Sequence, residues 1–169
     1  ETGVKNSKYD NILITAVDEI FPIISVEKML ETLIKNDLDL VSGTRYSKGG
    51  MRLGGSLLGA VLSKIANKSF NILTNIHLSD CTTGIKMMKK NLWNSIKLES
   101  KPIAWCFAFE LTIKAFVNGF KIDEYPLKSV DRLFGGSSTF KLGPWVKEYL
   151  KWFIWGYLNI KKRDKIKKN

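Results

Sequence analysis

Arg45 and Lys48 sit in a turn that follows the apolar run Asp39 to Thr44, beside the glycine pair Gly49-Gly50. A guanidinium offers a planar fork for phosphate or carboxylate, and glycines let backbone N–H groups approach the same anion. Three later segments repeat this polar punctuation after apolar elements: Asp80-Cys-Thr-Thr-Gly-Ile-Lys86, the stretch Phe107 to Lys114, and Asp131-Arg132 followed by Gly135, Gly136, Ser137 and Ser138. Arg45, Lys48, Lys86, Arg132, Ser137 and Ser138 are therefore the candidate anion ligands, and their recurrence at element ends suggests one site. For any single arginine, a weak surface ion pair is the competing reading.

Asp18 and Glu19 close an apolar run, where carboxylates are costly unless they face water, a cation or a metal. Hard divalent ions such as Mg²⁺ or Mn²⁺ prefer oxygen ligands and bridge to phosphates, so these two are the candidate metal ligands. A plain solvated turn would explain them equally well. Glu110 stands among Trp105, Phe107, Phe109 and Leu111, an ionisable group amid aromatics; the competing reading is an ion pair with Lys114, four residues on. Asp80 is either a reactive carboxylate or the cap of its own turn. His77, the lone histidine, has no evident catalytic partner and reads as packing.

The elements that would position these residues can be read from periodicity. Asn11 to Val17 reads as a buried strand. Ser25 reads as the N-cap of an amphipathic helix to about Lys35, and Asp39 to Thr44 as the next strand. Strand, helix and strand in this order make a parallel crossover, and in such sheets ligands gather beyond the carboxyl ends of the strands. Ser56 to Leu73 carries a helical stripe through Leu58, Leu62, Ile65, Ser69 and Leu73. Gly84 to Lys89 predicts a short strand and Asn91 to Ile96 a short helix. Cys106 to Val117 predicts a buried helix stopped by Asn118-Gly119, and Phe120 to Leu127 a strand. Trp145 to Ile160 concentrates aromatics ahead of the basic tail Lys161 to Lys168, a combination suited to a bilayer interface; a helix packing its aromatics on the domain is the other reading.

A chain of 169 residues, 44% apolar and 25% charged, is long enough for one domain with a real core. Its formal net charge of +11 favours an anionic partner without saying which. Cys81 and Cys106 make neither a disulfide scaffold nor a metal cluster on their own, which fits a reducing compartment. No apolar run reaches the roughly 18 residues needed to span a bilayer, so a soluble or peripheral protein is expected. The chain opens on Glu1 with an apolar strand soon after, which reads as the continuation of a longer domain.

The ordered set Ile14 to Glu19, Asp39 to Gly50, Leu62 to Asn67, Asp80 to Lys86, Phe107 to Lys114, Glu124 to Leu127 and Asp131 to Leu142 resembles the family-two glycosyltransferases. Within them it is most similar to the dolichyl-phosphate or polyprenyl-phosphate sugar transferases. The resemblance covers nearly the whole chain. It implies an α/β fold, a partial GT-A (Rossmann-like) mixed sheet flanked by helices, with a C-terminal amphipathic helix. Residues 1–142 would be the acceptor-side part, lacking the N-terminal nucleotide-binding part, and residues 143–169 the aromatic helix and basic tail. Asp18 falls on the family's acidic metal motif; where the common form has an earlier aspartate this chain has Ala16, with Glu19 as the adjacent acid. Arg45 falls on the family's Gly-Ser-Arg-Tyr segment and Arg132 on the arginine before its Gly-x-Ser-Lys loop. Where lipid-phosphate transferases often carry an arginine four residues before Ser63, this chain has Gly59.

The resemblance thus implies an inverting transferase passing a sugar from an NDP-sugar to an acceptor, most readily a polyprenyl phosphate at a membrane, with Mg²⁺ or Mn²⁺ as cofactor. As a fragment, the isolated chain is expected to be inactive. A phosphate acceptor is already nucleophilic; a hydroxyl acceptor would need a base, for which Asp80 and Glu110 are the candidates. The expected location is peripheral, on the cytoplasmic face of a membrane, with the C-terminal helix on the lipid. The rival is a non-enzymatic basic module for membranes or nucleic acid. It leaves Asp18-Glu19 unexplained, and since no nucleic-acid motif appears, no nucleic-acid partner is expected.

Overall fold

The computed structural model describes residues 2–15, 19–20, 23–131 and 142–166. A short helix α1 (Thr2–Lys5) leads to β1 (Asn11–Ile14), β2 (Glu19–Ile20), α2 (Ile23–Lys35), β3 (Leu40–Thr44) and β4 (Met51–Gly54). The chain continues through α3 (Leu57–Thr74), β5 (Lys86–Lys89), α4 (Lys90–Ser95), α5 (Cys106–Val117), β6 (Ile122–Pro126), β7 (Lys128–Asp131) and α6 (Leu142–Ile166).

Two sheets form. The larger has the order β1-β5-β3-β6, with β5 antiparallel to both β1 and β3, and β3 parallel to β6. β1 and β3 therefore run the same way, as the crossover reading requires, with an antiparallel strand inserted between them. The smaller sheet, β2-β7-β4, was not foreseen; its strands are too short for a periodicity to show. Its register sets Glu19 opposite Asp131 and Asp131 opposite Gly54, so these two acidic positions and the end of β4 share one small sheet.

Alternation along the central strands divides the core. Ile12, Leu40 and Met88 face α3, α5 and α6 and join Phe70, Phe109, Leu111 and Trp152, whereas Val41, Ile85 and Met87 face α2 and join Met29 and Leu33. α5 has the bounds its periodicity predicts. α3 starts where Ser56 caps it, the hydroxyl accepting from Gly59 N at 3.2 Å, and ends at Asn75 in the left-handed region. In α2 the expected capping role of Ser25 fails, because the helix begins at Ile23 and Ser25 is buried within it.

Two helices differ from expectation in what they turn inward. On α3 the anticipated stripe of Leu58, Leu62, Ile65 and Leu73 is exposed, while Ser63, Asn67, Phe70 and Thr74 line the inner face. On α6 the aromatics do not face outward. Tyr149, Trp152, Phe153 and Trp155 pack into the larger core, and the outer side carries Val146, Leu150, Ile154 and Leu158 at four-residue spacing. Lys114 of α5 holds this docking, its ammonium lying 5.0 Å from the Trp152 ring centre and 5.6 Å from that of Trp155.

Where α6 crosses α3 there is room only for glycine. A Cβ on Gly156 would lie 2.8 Å from Phe70 Cζ and 3.1 Å from Ile113 Cδ1. Gly156→Val is expected to cost about 1–3 kcal/mol through overpacking, read as a lower denaturation midpoint. An unchanged midpoint would mean that α6 does not dock against α3 and α5 as described.

Candidate functional site

The candidate site lies at the carboxyl ends of the parallel strands β3 and β6, where the chain must turn and its polar groups can meet. Thr44 ends β3, and its Oγ1 accepts from Tyr46 N at 3.1 Å and Ser47 N at 3.4 Å, folding the Arg45 turn back on the strand. The same hydroxyl lies 2.6 Å from Ser79 Oγ. Glu124 of β6 accepts from Ser79 N at 2.6 Å and from Ser79 Oγ at 2.8 Å. Two strand ends and the loop before β5 are thereby tied together.

Asp80 occupies the centre and is fully buried. Arg45 Nε donates to its Oδ2 at 2.7 Å and Arg45 Nη2 to its Oδ1 at 3.1 Å, a two-point pair. Thr82 N and Thr83 N each donate to Oδ1 at 3.2 Å, the Thr82 hydroxyl at 3.0 Å, and Asn67 Nδ2 at 3.3 Å. Burial alone would push this carboxyl up. The charge and hydrogen bonds of Arg45 outweigh it and hold the group below the usual carboxylate range.

Asn67 joins α3 to this loop through both ends of its amide. Its Nδ2 also donates to Thr82 Oγ1 at 2.9 Å, and its Oδ1 accepts from Cys81 N at 2.8 Å. One turn earlier, Ser63 Oγ lies 3.0 Å from Thr82 Oγ1. Neither residue was assigned a role from sequence. The available signal was two polar residues four apart on one face of an otherwise apolar helix. Trp105, at the start of α5, lies flat on the same loop, and a Cβ on Gly84 would approach its ring to 2.4 Å. Ala104 before it takes φ 49°, a left-handed conformation uncommon for a residue with a side chain.

The structure brings Arg45 and Asp80 into direct contact, and Trp105 carries the start of α5 against the same loop. It also places three of the candidates, Asp80, Glu110 and Lys86, in the interior. Asp80 is not placed to take a proton, since both of its oxygens are engaged by donors inside the protein. Glu110 is likewise buried and engaged: it accepts from Glu99 N and Ser100 N at 2.8 Å each and pairs with Lys114 at 2.7 Å, which is the ion-pair reading of that residue. Lys86 is no surface ligand for phosphate. It is fully buried beneath the loop, donating to Ser42 Oγ at 2.6 Å and Cys81 O at 3.3 Å. Lys48 is exposed in the turn after Arg45.

Asp18, Arg132, Ser137 and Ser138 lie outside the described residues, and of Glu19 only the backbone is described. Among the described residues no group of three or more His, Cys, Asp or Glu could hold a metal ion. His77 is structural, with Nε2 at 2.8 Å from Ile122 O, and Cys81 and Cys106 are buried free thiols.

No family model matches the chain. It is 31% identical over 119 residues to a polyprenol monophosphomannose synthase of Mycolicibacterium smegmatis, a match covering 63% of this chain and 44% of that protein. Among solved structures it is similar to glucosyl-3-phosphoglycerate synthase of Mycobacterium tuberculosis. The form with Mn²⁺, UDP and phosphoglyceric acid matches at TM-score 0.69 and 13% identity over 92% of this chain and 51% of that one. The form with Mg²⁺ and UDP matches at TM-score 0.66 and 13% identity over 91% and 51%. The chain thus spans about half the length of the proteins it matches. The sequence relative agrees with the resemblance read from the sequence, and the solved structures show the fold, a mixed sheet flanked by helices that matches part of the GT-A glycosyltransferase structures.

Lys86 gives this site a signature in alkali. Burial pushes its ammonium from the ordinary 10.5 down to about 8, so between those values the unfolded chain binds more protons and stability rises with pH. Above pH 9 the buried thiols act in the opposite sense, since burial pushes both Cys81 and Cys106 from 9.0 up to about 12. Between pH 8 and 9 the protein is therefore expected to gain stability relative to Lys86→Met. Parallel curves for the two would contradict the burial of a charged lysine under the loop.

Proposed function

We propose that these residues form the acceptor side of an inverting glycosyltransferase that passes a sugar from an NDP-sugar to a polyprenyl phosphate. One observation carries the choice of acceptor. Asp80 and Glu110, the two carboxylates that could have served as base, are both buried and both occupied by donors of the protein itself. A hydroxyl acceptor must lose a proton as it attacks, whereas a phosphate monoester is anionic at neutral pH and needs only to be placed and neutralised.

In this reaction a phosphate oxygen of the acceptor attacks the anomeric carbon from the side opposite the leaving group. The new C–O bond forms as the bond to the nucleoside diphosphate breaks, and the diphosphate departs with the electron pair. Configuration inverts, and no proton need move. Arg45, held rigid by Asp80, and exposed Lys48 stand where the acceptor phosphate would lie, and Arg132, Ser137 and Ser138 are assigned to the same charge. Asp18 and Glu19 would hold Mg²⁺ or Mn²⁺, which supplies neutralisation of the leaving diphosphate; their oxygen donors suit such ions. The nearby sequence relative bears a name in this class, polyprenol monophosphomannose synthase, and supports the reading.

The protein is assigned to the cytoplasmic face of a membrane as a peripheral component. The outer aliphatic side of α6 and the exposed basic residues Lys162 and Lys165 favour contact with anionic lipid. Among the described residues no helix is long and apolar enough to cross the bilayer.

Transfer from GDP-mannose and UDP-glucose is to be measured with a polyprenyl phosphate and with the corresponding free alcohol, for these residues alone and within the full-length enzyme. Little or no turnover is expected from the 169 residues alone, because the donor's base pocket is assigned to the part of the relatives outside the match. In the full-length enzyme, product should form only with the phosphate, and Arg45→Met should lower kcat/KM by about a hundredfold through loss of charge stabilisation. Transfer to the alcohol, or unchanged activity of Arg45→Met, would overturn the phosphate reading.

A further inference from the structure

Helix α3 is turned inside out over its first half. Its inward residues there are polar, Ser63 and Asn67, and they hold the Asp80 loop. Its outward residues are large and apolar: Leu57 is 84% exposed, Leu58 55%, Val61 54%, Leu62 37% and Ile65 58%. At ~100° per residue these five side chains fall within an arc of about 140°, and Ile72 and Leu73 extend it toward the C-terminal end. β4 adds Met51 and Leu53, both exposed and immediately ahead of the helix in the chain. An isolated exposed leucine needs no explanation; a run of such residues on two consecutive elements does.

The charge around this face says what covers it. From Arg45 to Ser79 the chain carries Arg45, Lys48, Arg52, Lys64 and Lys68 and no Asp or Glu at all. Lys64 and Lys68 lie along one margin of the apolar arc and are exposed. An apolar strip edged by lysines, on a segment that contributes no carboxylate of its own, matches an anionic bilayer surface: the aliphatic side chains enter the acyl boundary while ammonium groups stay at the phosphates. A second copy of the chain fits poorly, because a two-fold contact would set this uniformly cationic strip against itself.

We propose that the outer face of β4 and the first half of α3 is a membrane-docking surface for anionic lipid. It deepens the reading above and rests on it only for the identity of the acceptor. Through Ser63 and Asn67 the docked helix is bonded directly to the Asp80 loop, so the surface that meets lipid and the site that meets the acceptor phosphate are opposite faces of one helix. An acceptor whose chain lies in the bilayer then reaches Arg45 without being drawn far into water.

The test is flotation with phosphatidylcholine vesicles, with and without phosphatidylglycerol, containing neither donor nor polyprenyl phosphate. The protein should bind the anionic vesicles. The triple variant Leu58→Ser/Val61→Ser/Ile65→Ser should bind them at least about tenfold more weakly, since each loses apolar area that would enter the interface. Its thermal midpoint should stay near that of wild type, because these three side chains are more than half exposed, at 55%, 54% and 58%. Lys64→Gln/Lys68→Gln should lose the advantage of anionic over neutral vesicles while keeping what binding neutral vesicles allow. Equal binding by the triple variant and wild type would overturn the proposal, as would a lowered midpoint, or a wild-type dimer in sedimentation that the triple variant abolishes. Because no substrate is present, vesicle binding can succeed where sugar transfer fails, and the reverse.

Discussion

A single buried carboxylate organises this molecule. Asp80 has no access to water, and a charge in that position is tolerated only because a guanidinium, a carboxamide, a hydroxyl and two backbone N–H groups converge on it. The donors come from three places in the chain: Arg45 from the turn after β3, Asn67 from α3, and Thr82 and Thr83 from the loop itself. Satisfying one anion therefore fixes the relative positions of a strand end, a helix and a loop. It also spends the acid. A carboxylate so engaged orients a guanidinium, and the proposed acceptor is accordingly one that arrives already ionised.

Legibility in the sequence varied with the range of the determining interaction. α5 was readable to the residue, because a continuous apolar run closed by Asn118-Gly119 is a local signal. α3 was equally readable in extent and misread in orientation. Periodicity shows that one side of a helix is apolar; it does not show that this side faces the interior, and here hydrogen bonds from Ser63 and Asn67 reverse the usual sense. The aromatics of α6 left two readings open for a related reason, since rings beside lysines suit a bilayer and a protein core alike; the core packing and the ring contacts of Lys114 show where they lie.

At the site, the segments were legible and the roles were not. Arg45 and Asp80 could each be singled out by type and position after an apolar run. That they neutralise one another across 35 residues of sequence is a tertiary fact. Lys86 likewise reads as a ligand in a motif, while the structure places it under the floor, bonded to Ser42 and the Cys81 carbonyl. α3 is bonded to the site on one side and apolar on the other, and on the proposed reading that second side is the one from which a lipid-borne substrate would come.

The most direct test is the coupling between Arg45 and Asp80, obtained from the unfolding free energies of wild type, Arg45→Met, Asp80→Asn and the double variant. Removing one member of a buried pair leaves the other exposed to the full cost of desolvation, so the coupling should be about 2 kcal/mol or more. Single losses that add within about 0.5 kcal/mol would show that the two residues do not sense each other, and the account of the site built on them would be wrong.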